Sequence, residues 1–242
     1  MEIAFEKKYH SLERNHWWFV SRRKMIAQIV CKYGKNTKIL EVGCSSGQLM
    51  KMLEEAEYKN VIGIDMSKEA IRMCRTSGVR DVVRMDGSEL GFKENSFDLL
   101  IASDVLEHIR DDSKAVFDWK RVLKKGGDII AFVPAFKSLW SGHDVVNRHF
   151  RRYNKRELQA LFKQNELSVK RTSYWNFVLF LPVSLRRIVE NKIATSSRSQ
   201  DDLFRWSRMA NFFLGLILKI ENMWCRFFPL PFGLSLFVIA RK

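Results

Sequence analysis

Short apolar segments alternate, in the first half of the chain, with segments whose apolar residues have helical spacing. The apolar segments are Lys38–Val42, Asn60–Ile64, Asp81–Met85, Phe97–Ala102 and Asp128–Val133. Apolar runs of about four to eight residues are typical of buried strands, and steps of three and four residues are typical of helices that pack on one face. Strands that alternate with helices form a parallel sheet with right-handed crossovers. The sequence therefore predicts an α/β fold.

The two ends of the chain depart from this alternation. Residues 1–30 have a helical pattern, and Leu167–Thr172 and Leu234–Ala240 have the pattern of a sixth and a seventh strand. About 60 residues separate these two strands, which is far more than a hairpin connection needs. We therefore expect an N-terminal helical segment and a helical insertion between the last two strands, with a polar loop at Asn191–Gln200 inside the insertion.

A mostly apolar helical pattern runs from Leu203 to Phe228 within this insertion. Its polar residues recur at an average step of about 3.5, which places them on one narrow stripe of a helix. They are Arg205, Arg208, Asn211, Gly215, Lys219, Asn222 and Arg226. Such a helix could be buried in the fold, pair with a second copy in a homodimer, or lie in a membrane interface with its cations toward anionic headgroups.

The formal net charge is +15, and it is unevenly distributed. Residues 1–130 carry 23 basic and 20 acidic side chains, whereas residues 131–242 carry 19 and 7, so the basic excess belongs to the second half. The four cysteines lack the spacing of a zinc site or a disulfide framework. The longest uncharged runs have 14 residues, fewer than the roughly 18–20 of a membrane span. No signal peptide is recognisable, so we expect a cytoplasmic protein that could attach peripherally to the inner face of the membrane.

Glycines and carboxylates stand at the predicted strand ends, where open α/β sheets bind their ligands. Gly43 and Gly47 flank a loop of small residues that would let backbone approach a ligand closely. Asp65 ends the second strand and could accept two hydrogen bonds from a ribose diol. Asp86 ends the third strand, where it could meet an adenine amino group. The loop alone would suit NAD, a phosphate or any tight turn, but the three features together predict a nucleoside cofactor.

Successive motifs over residues 36–136 resemble those of class I S-adenosylmethionine-dependent methyltransferases. They are Ile39–Gly47, Gly63–Ser67, Asp86–Gly87, Ser96–Leu100, Ser103–Ile109 and Leu123–Gly127. The resemblance implies a Rossmann-like seven-stranded methyltransferase sheet with flanking helices, and S-adenosyl-L-methionine as the cofactor. A P-loop is excluded because no Gly-Lys-[Ser/Thr] follows the first loop. NAD binding would leave Asp86 and the fourth-strand motif unexplained.

The resemblance also implies which residues hold the cofactor. Glu41 and the Gly43–Gly47 loop would hold its methionine part beside Ser103–Val105, Asp65 would bind the ribose, and Asp86 with its neighbours would bind the adenine. The full set is Glu41, Gly43, Cys44, Ser45, Gly47, Asp65, Met66, Asp86, Gly87, Ser103, Asp104 and Val105. The family usually has glycine at position 45, where this chain has a small serine.

A narrower resemblance extends beyond these motifs, to a bacterial type 11-like methyltransferase subgroup often associated with cell-surface glycan or lipid-linked sugar pathways. It rests on Glu13–Phe19 with Arg22-Arg23, on Ser138–Asp144, on His149–Tyr153 and on Pro231–Leu236. The length and pattern of the whole chain, taken together with the motifs, predict one methyltransferase domain over residues 1–242. Its parts would be a helical cover (1–35), a cofactor-binding core (36–136), a substrate-side loop, helix and sixth strand (137–174), a helical insertion (175–232) and the last strand (233–242).

Two histidines after the fifth strand are candidates for a general base. Methyl transfer to a neutral hydroxyl needs the nucleophile in line with the methyl carbon and a group that takes its proton. Histidine is the residue type whose ordinary pKa lies near neutrality, so His143 or His149 suits that task, and Tyr153 is a further catalytic candidate. These side chains could instead cap loops. His108 is expected to stabilise a helix start, and no metal site is expected.

Two arginines and two tryptophans are candidates for acceptor binding. Arg151 and Arg152 could hold an anionic group, or form a solvated basic face. Trp17 and Trp18 could stack on the acceptor or cover the cofactor cleft, or simply pack the N-terminal helix on the domain.

These patterns favour O-methylation of a small or lipid-linked anionic acceptor, such as a saccharide. The +15 charge makes an RNA methyltransferase the alternative, but no RNA-binding module is recognisable, so nucleic acid is not the expected partner. A non-catalytic membrane-surface protein that retains the fold is the third hypothesis. A basic second half suits an anionic acceptor or an anionic membrane better than a long phosphate backbone.

Overall fold

The computed structural model describes residues 9–193 and 206–242. Its strands are β1 (Lys38–Val42), β2 (Asn60–Asp65), β3 (Val82–Arg84), β4 (Phe97–Ser103), β5 (Leu123–Pro134), β6 (Ser168–Trp175) and β7 (Ser235–Arg241). Within the described residues they form one sheet of order β3-β2-β1-β4-β5-β7-β6. Strands β1 to β5 pair in parallel, and β7 runs antiparallel to both of its neighbours. This confirms the predicted seven-stranded α/β sheet, because each apolar segment of the sequence became a strand.

Helices cover both faces of the sheet. They are α1 (Trp17–Val30), α2 (Gln48–Glu55), α3 (Lys68–Thr76), α4 (Asp112–Val122), α5 (Gly142–Val146), α6 (Lys155–Gln164), α7 (Phe180–Ile193) and α8 (Arg208–Cys225). Short 3-10 turns occupy Leu106–His108 and Lys137–Leu139. Helix α7 extends into the start of the predicted loop Asn191–Gln200; the rest of that loop, with the beginning of the predicted insertion helix before Trp206, lies outside the described residues.

The two-residue period of the strands divides the core into two layers. Leu40 and Leu100 point to one face and pack with Trp119 of α4, which is fully buried. Ile39 points to the other face and packs with residues of α1 that include Met25. Because both faces are covered, the carboxyl ends of the central strands are the edge at which a ligand can meet side chains from several strands.

Helix α1 is the predicted N-terminal cover, and it lies beside α8 on one face of the sheet. His16 begins it, since the His16 side chain accepts a hydrogen bond from the backbone N–H of Trp18 at 3.3 Å. Asn211 of α8 joins the two helices, because its side-chain oxygen accepts from the backbone N–H of Trp17 at 2.9 Å.

Two polar residues of α8, Glu221 and Asn222, point into the protein. Asn222 accepts a hydrogen bond from the indole of Trp175 at 2.7 Å and donates to the backbone oxygen of Ser21 at 3.0 Å. The Glu221 carboxylate accepts from the backbone N–H groups of Phe177 and Val178 at 3.0 and 3.2 Å. Part of the predicted polar stripe therefore anchors α8 to the strand and loop beneath it.

Most of the large apolar residues of α8 point outward, although Leu218 and Cys225 are buried, so the helix is largely inverted relative to an ordinary surface helix. Met209 and Phe212 are 71% and 66% exposed, and Phe213, Leu216, Ile220, Met223 and Trp224 are exposed as well. Burial of the helix within the fold, one of the three alternatives, is therefore wrong for this face. Buried polar side chains, which a sequence pattern would place in solvent, hold the helix against the domain.

No helix in 9–193 or 206–242 has both the length and the hydropathy of a membrane span.

We expect Asn222→Ala to destabilise the fold more than Ile220→Ala on the same helix. Asn222 is buried, and its replacement leaves the buried Trp175 indole N–H without its acceptor. The free energy of unfolding should therefore fall by about 1–3 kcal/mol. Ile220 is 62% exposed, so its truncation should change the free energy by about 0.5 kcal/mol or less. Urea unfolding of both variants measures this difference, and equal losses would contradict the inward orientation of Asn222.

Candidate active site

The loop after β1 uses left-handed backbone at three positions. Gly43, Ser45 and Gly47 have φ angles of 72°, 50° and 75°. A Cβ added at Gly43 would lie 2.6 Å from Cγ2 of Val105, so no larger residue fits there. Ser45 adopts a conformation that favours glycine, and its hydroxyl donates to the Glu13 carboxylate at 2.9 Å. The serine is thus tolerated, at the cost of some backbone strain, with a partner for its hydroxyl.

Asp65 connects this loop to the end of β2. Its carboxylate accepts from the backbone N–H groups of Ser45 and Ser67 at 2.9 and 2.8 Å. Burial raises the pKa of Asp65, and these two hydrogen bonds oppose the rise. The carboxylate is therefore held at the strand end in a fixed orientation, as a ribose contact requires.

The predicted adenine side lies at the next strand end. Asp86 is exposed, and one of its oxygens accepts from the backbone N–H of Ser88 at 2.8 Å. A Cβ at Gly87 would lie 2.8 Å from Cγ1 of Val42, so a larger residue there would have to displace the Val42 side chain. Met66 is 66% exposed and could cover a flat ligand there.

A cavity of about 50 Å³ lies between α1 and the β1 loop. Seven predicted site residues line it: Trp18, Glu41, Gly43, Cys44, Ser45, Ser103 and Asp104. The other twelve are not among its lining residues: Trp17, Gly47, Asp65, Met66, Asp86, Gly87, Val105, His143, His149, Arg151, Arg152 and Tyr153. Tyr9 and Glu13 close it from the N-terminal side.

Glu41 presents a buried carboxylate to this cavity. Burial raises the pKa of Glu41, and Glu13 raises it further. Its Oε2 atom has no hydrogen-bond partner among the described residues. A cationic group of a ligand, such as an ammonium, would satisfy this oxygen, so the donor and acceptor set fits the methionine part of the expected cofactor.

Arg22 is a site residue that sequence reasoning placed only in the subgroup resemblance. Its guanidinium lies 4.3–4.6 Å from the ring centroids of Trp18, Phe132 and Trp175, and it donates to Asp104 at 3.1 Å. Burial lowers the pKa of Arg22, and Asp104 opposes the shift. The sequence feature that could have identified Arg22 is the pair Arg22-Arg23 within a helical segment that otherwise packs on the sheet.

Asp144 organises the loop after β5. Its carboxylate accepts from Nδ1 of His149 at 2.8 Å and from Nε and Nη2 of Arg152 at 2.8 Å each. Burial raises the pKa of Asp144, but these hydrogen bonds and the Arg152 charge outweigh it and hold the pKa well below its usual range. Asp144 is therefore ionised, and it fixes the ring of His149.

The rings of His108 and His143 both lie close to the ring of His149. Its ring centroid lies 4.6 Å from that of His108 and 6.1 Å from that of His143. Burial, reinforced by the charge of His149, lowers the pKa of His108 to about 3, so its ring is neutral. His108 belongs to a 3-10 turn beside the site, which differs from the expected role at a helix start.

The other predicted substrate and catalytic residues have internal partners. Arg152 is 2% exposed and its guanidinium is engaged by Asp144. Arg151 pairs with Asp112 at 2.7 Å. Tyr153 is buried and donates to Asp112 at 2.8 Å, and burial with that carboxylate raises its pKa far above the usual range. These contacts fit structural roles for the three residues.

Trp17 and Trp18 are both half-buried. Trp18 packs edge-on against Trp175 and lies over Arg22, so it covers the cavity. The indole nitrogen of Trp17 is buried and has no partner among the described residues, although its backbone N–H is bonded to Asn211. The N-terminal helix thus packs on the domain and covers the cavity at once.

Comparisons with known proteins agree with this geometry. Residues 40–131 match a family model described as a methyltransferase domain. A Mycolicibacterium smegmatis protein named a probable S-adenosylmethionine-dependent methyltransferase is 25% identical over 175 residues, covering 71% of this chain and 67% of that protein. The ubiquinone biosynthesis O-methyltransferase of Erwinia tasmaniensis is 28% identical over 103 residues, covering 40% of this chain and 41% of that protein.

A solved S-adenosylmethionine-dependent methyltransferase from Archaeoglobus fulgidus superposes with a TM-score of 0.62 at 15% identity, covering 100% of both chains. That likeness shows the fold. In the two sequence matches above, this chain spans 67% and 41% of its relatives' length. The motifs, the matched family model and the fold lead to one assignment: the chain contains a class I S-adenosylmethionine-dependent methyltransferase domain, and S-adenosyl-L-methionine is its cofactor.

Proposed function

We propose that this protein transfers a methyl group from S-adenosylmethionine to an oxygen of a small or lipid-linked anionic acceptor, such as a saccharide. The observation that carries the proposal is the buried Oε2 atom of Glu41, which has no hydrogen-bond partner within 9–193 and 206–242 and lies in the cavity beside Asp104. When bound, the cofactor supplies an electrophilic methyl carbon on a sulfonium. Glu41 would hold its ammonium group, Asp65 its ribose and Asp86 its adenine. The unoccupied hydrogen-bonding capacity of Glu41 supports this placement.

An oxygen acceptor requires a proton acceptor, and the histidine cluster supplies candidates. His143 and His149 lie on the loop after β5, and Asp144 fixes the ring of His149. A hydroxyl held near this cluster would lose its proton to an imidazole as the new bond forms. The named activity of the Erwinia relative, an O-methyltransferase, supports oxygen as the acceptor atom.

The outward face of α8 favours an acceptor at an anionic membrane surface. At about 100° per residue, Arg208, Lys219 and Arg226 fall within about 20° of one another at one border of this face. Trp206 and Trp224 stand at its two ends and are 44% and 58% exposed. Exposed aromatics with flanking cations are typical of helices that lie in a lipid interface.

A second copy of the chain fits the same face less well. Between Trp206 and Phe228 the sequence contains one carboxylate, Glu221, and that side chain is buried beneath the helix. A symmetric dimer through this face would bring cations toward cations without a compensating acid. Anionic headgroups supply the missing charge, at about 1 kcal/mol for each nearby Lys or Arg.

RNA is the second candidate acceptor, and the charge distribution argues against it. Arg22, Arg152 and Arg241 pair internally with carboxylates, so part of the +15 charge is not available to a phosphate backbone. Binding to RNA would have to weaken steeply with salt. Incubation of cell extracts with the protein and isotopically labelled S-adenosylmethionine separates the hypotheses, because the label is expected in an organic-phase or glycan product rather than in RNA.

We expect Asp65→Asn to weaken the binding of S-adenosylhomocysteine at least about tenfold, because the amide removes the charge that strengthens its hydrogen bonds to a ribose diol. Isothermal calorimetry measures this. Glu94→Gln is the matched control, since Glu94 is exposed and precedes the start of β4, at the end of that strand away from Ser103. Equal affinities of the two variants, or no heat with the unaltered protein, would remove the cofactor assignment of Asp65 and the proposed reaction.

We expect the protein to float with vesicles that contain phosphatidylglycerol and to remain unbound with pure phosphatidylcholine. Phe212→Ser combined with Phe213→Ser should reduce the bound fraction at least about tenfold, since each buried ring contributes about 1.5–3 kcal/mol. Phe117→Ser is the control, because Phe117 is 61% exposed but belongs to α4. Sedimentation equilibrium tests the rival: a dimer that the double variant dissociates would assign this face to a second copy.

A further inference from the structure

Three metal-ligating side chains converge beside the cofactor cavity. Glu107 and His108 follow β4, and His149 comes from the loop after β5; one ligand atom from each lies within 4.8 Å of the others. Glu107 is 0% exposed, and neither of its carboxylate oxygens has a hydrogen-bond partner among the described residues. A buried carboxylate without donors is costly unless a cation accompanies it. The neighbouring cation, Arg22, is engaged by Asp104.

The two histidines are oriented as metal ligands usually are. Asp144 accepts from Nδ1 of His149 at 2.8 Å, which leaves Nε2 of the same ring for another partner. Asp144 is itself fully buried and held by Arg152. His108 is held by a hydrogen bond to the backbone of Asn147. Such outer contacts fix the tautomer and direction of a ligating imidazole.

We infer that Glu107, His108 and His149 bind a divalent transition-metal ion. Two imidazoles and one carboxylate form a donor set that suits Zn²⁺, Mn²⁺, Fe²⁺ or Co²⁺, and three protein ligands leave coordination positions open for an exchangeable oxygen. The backbone N–H of Phe150 donates to the carbonyl oxygen of Glu107 at 2.7 Å, so the loop that carries His149 is tied to the strand end that carries the other two ligands.

The ion would change the roles of the two candidate bases, and this step rests on the proposed function. An acceptor hydroxyl in an open position would have its pKa lowered by the ion. His149 would then be a ligand, and His143, whose ring centroid is 6.1 Å away, would take the proton. The hydroxyl proton would pass to His143, the oxygen would bond to the methyl carbon, and the electron pair of the broken S–C bond would stay on sulfur.

Cobalt binding to the full chain tests the site without reference to activity. Protein stripped with EDTA and dialysed would be titrated with Co²⁺, followed by visible absorption and equilibrium dialysis. We expect one equivalent to bind. Glu107→Gln and His149→Asn should each weaken binding at least about tenfold, whereas His143→Asn and the surface control Glu94→Gln should leave it unchanged. The ion should also raise the Tm of the unaltered protein but not that of Glu107→Gln.

The inference is overturned if the stripped protein binds no Co²⁺, or if Glu107→Gln binds it as tightly as Glu94→Gln. Glu107→Gln conserves shape and removes a buried charge, so it should fold, and circular dichroism checks this. Calorimetry with S-adenosylhomocysteine separates this result from the proposed reaction. Cofactor binding without Co²⁺ binding would remove only the metal site, and Co²⁺ binding without cofactor binding would remove only the reaction.

Discussion

The buried guanidinium of Arg22 is the contact on which the arrangement of the site depends. It lies in α1, donates to Asp104 after β4 and to Ser235 of β7, and stacks against Phe132 and Trp175 of β5 and β6. A buried charge persists only with a partner and with hydrogen bonds. The N-terminal helix is therefore fixed over the carboxyl ends of the strands by the same ion pair that positions the end of β4.

Sequence periodicity was sufficient to predict the strands of the sheet, but it did not predict the orientation of α8 in the insertion. Alternation with helices predicted the five parallel strands, which are buried on both faces and appear as apolar runs, and the apolar pattern of Leu167–Thr172 and Leu234–Ala240 predicted the other two. The same reasoning found the polar stripe of α8 but not its direction. Asn222 points inward because Trp175 and Ser21 offer it hydrogen bonds, and these partners are distant in sequence.

The candidate site likewise contains residues whose positions the sequence predicted and residues whose contacts it did not. Strand-end residues such as Gly43 and Asp65 were predictable, because their positions follow from strand and loop geometry. The partners of the loop after β5 were not, because Arg152 has the sequence context of a surface cation and yet is neutralised by a buried Asp144. The proximity of His149 to Glu107 likewise arises from two separate strand ends, and no local spacing encodes it.

The carboxylates buried around the site differ in sign from the charged groups exposed on α8. Around the site, Glu41 and Glu107 are buried with oxygens that lack partners among the described residues, while Arg22 and Arg152 are taken up by other carboxylates. The interior therefore favours incoming positive charge, as an ammonium, a sulfonium or a divalent ion provides. On the surface the arrangement differs, because Lys219 is exposed beside the apolar face of α8, while Glu221 of the same helix is buried. A chain of net charge +15 can thus combine buried carboxylates at its candidate site with exposed cations beside an apolar surface.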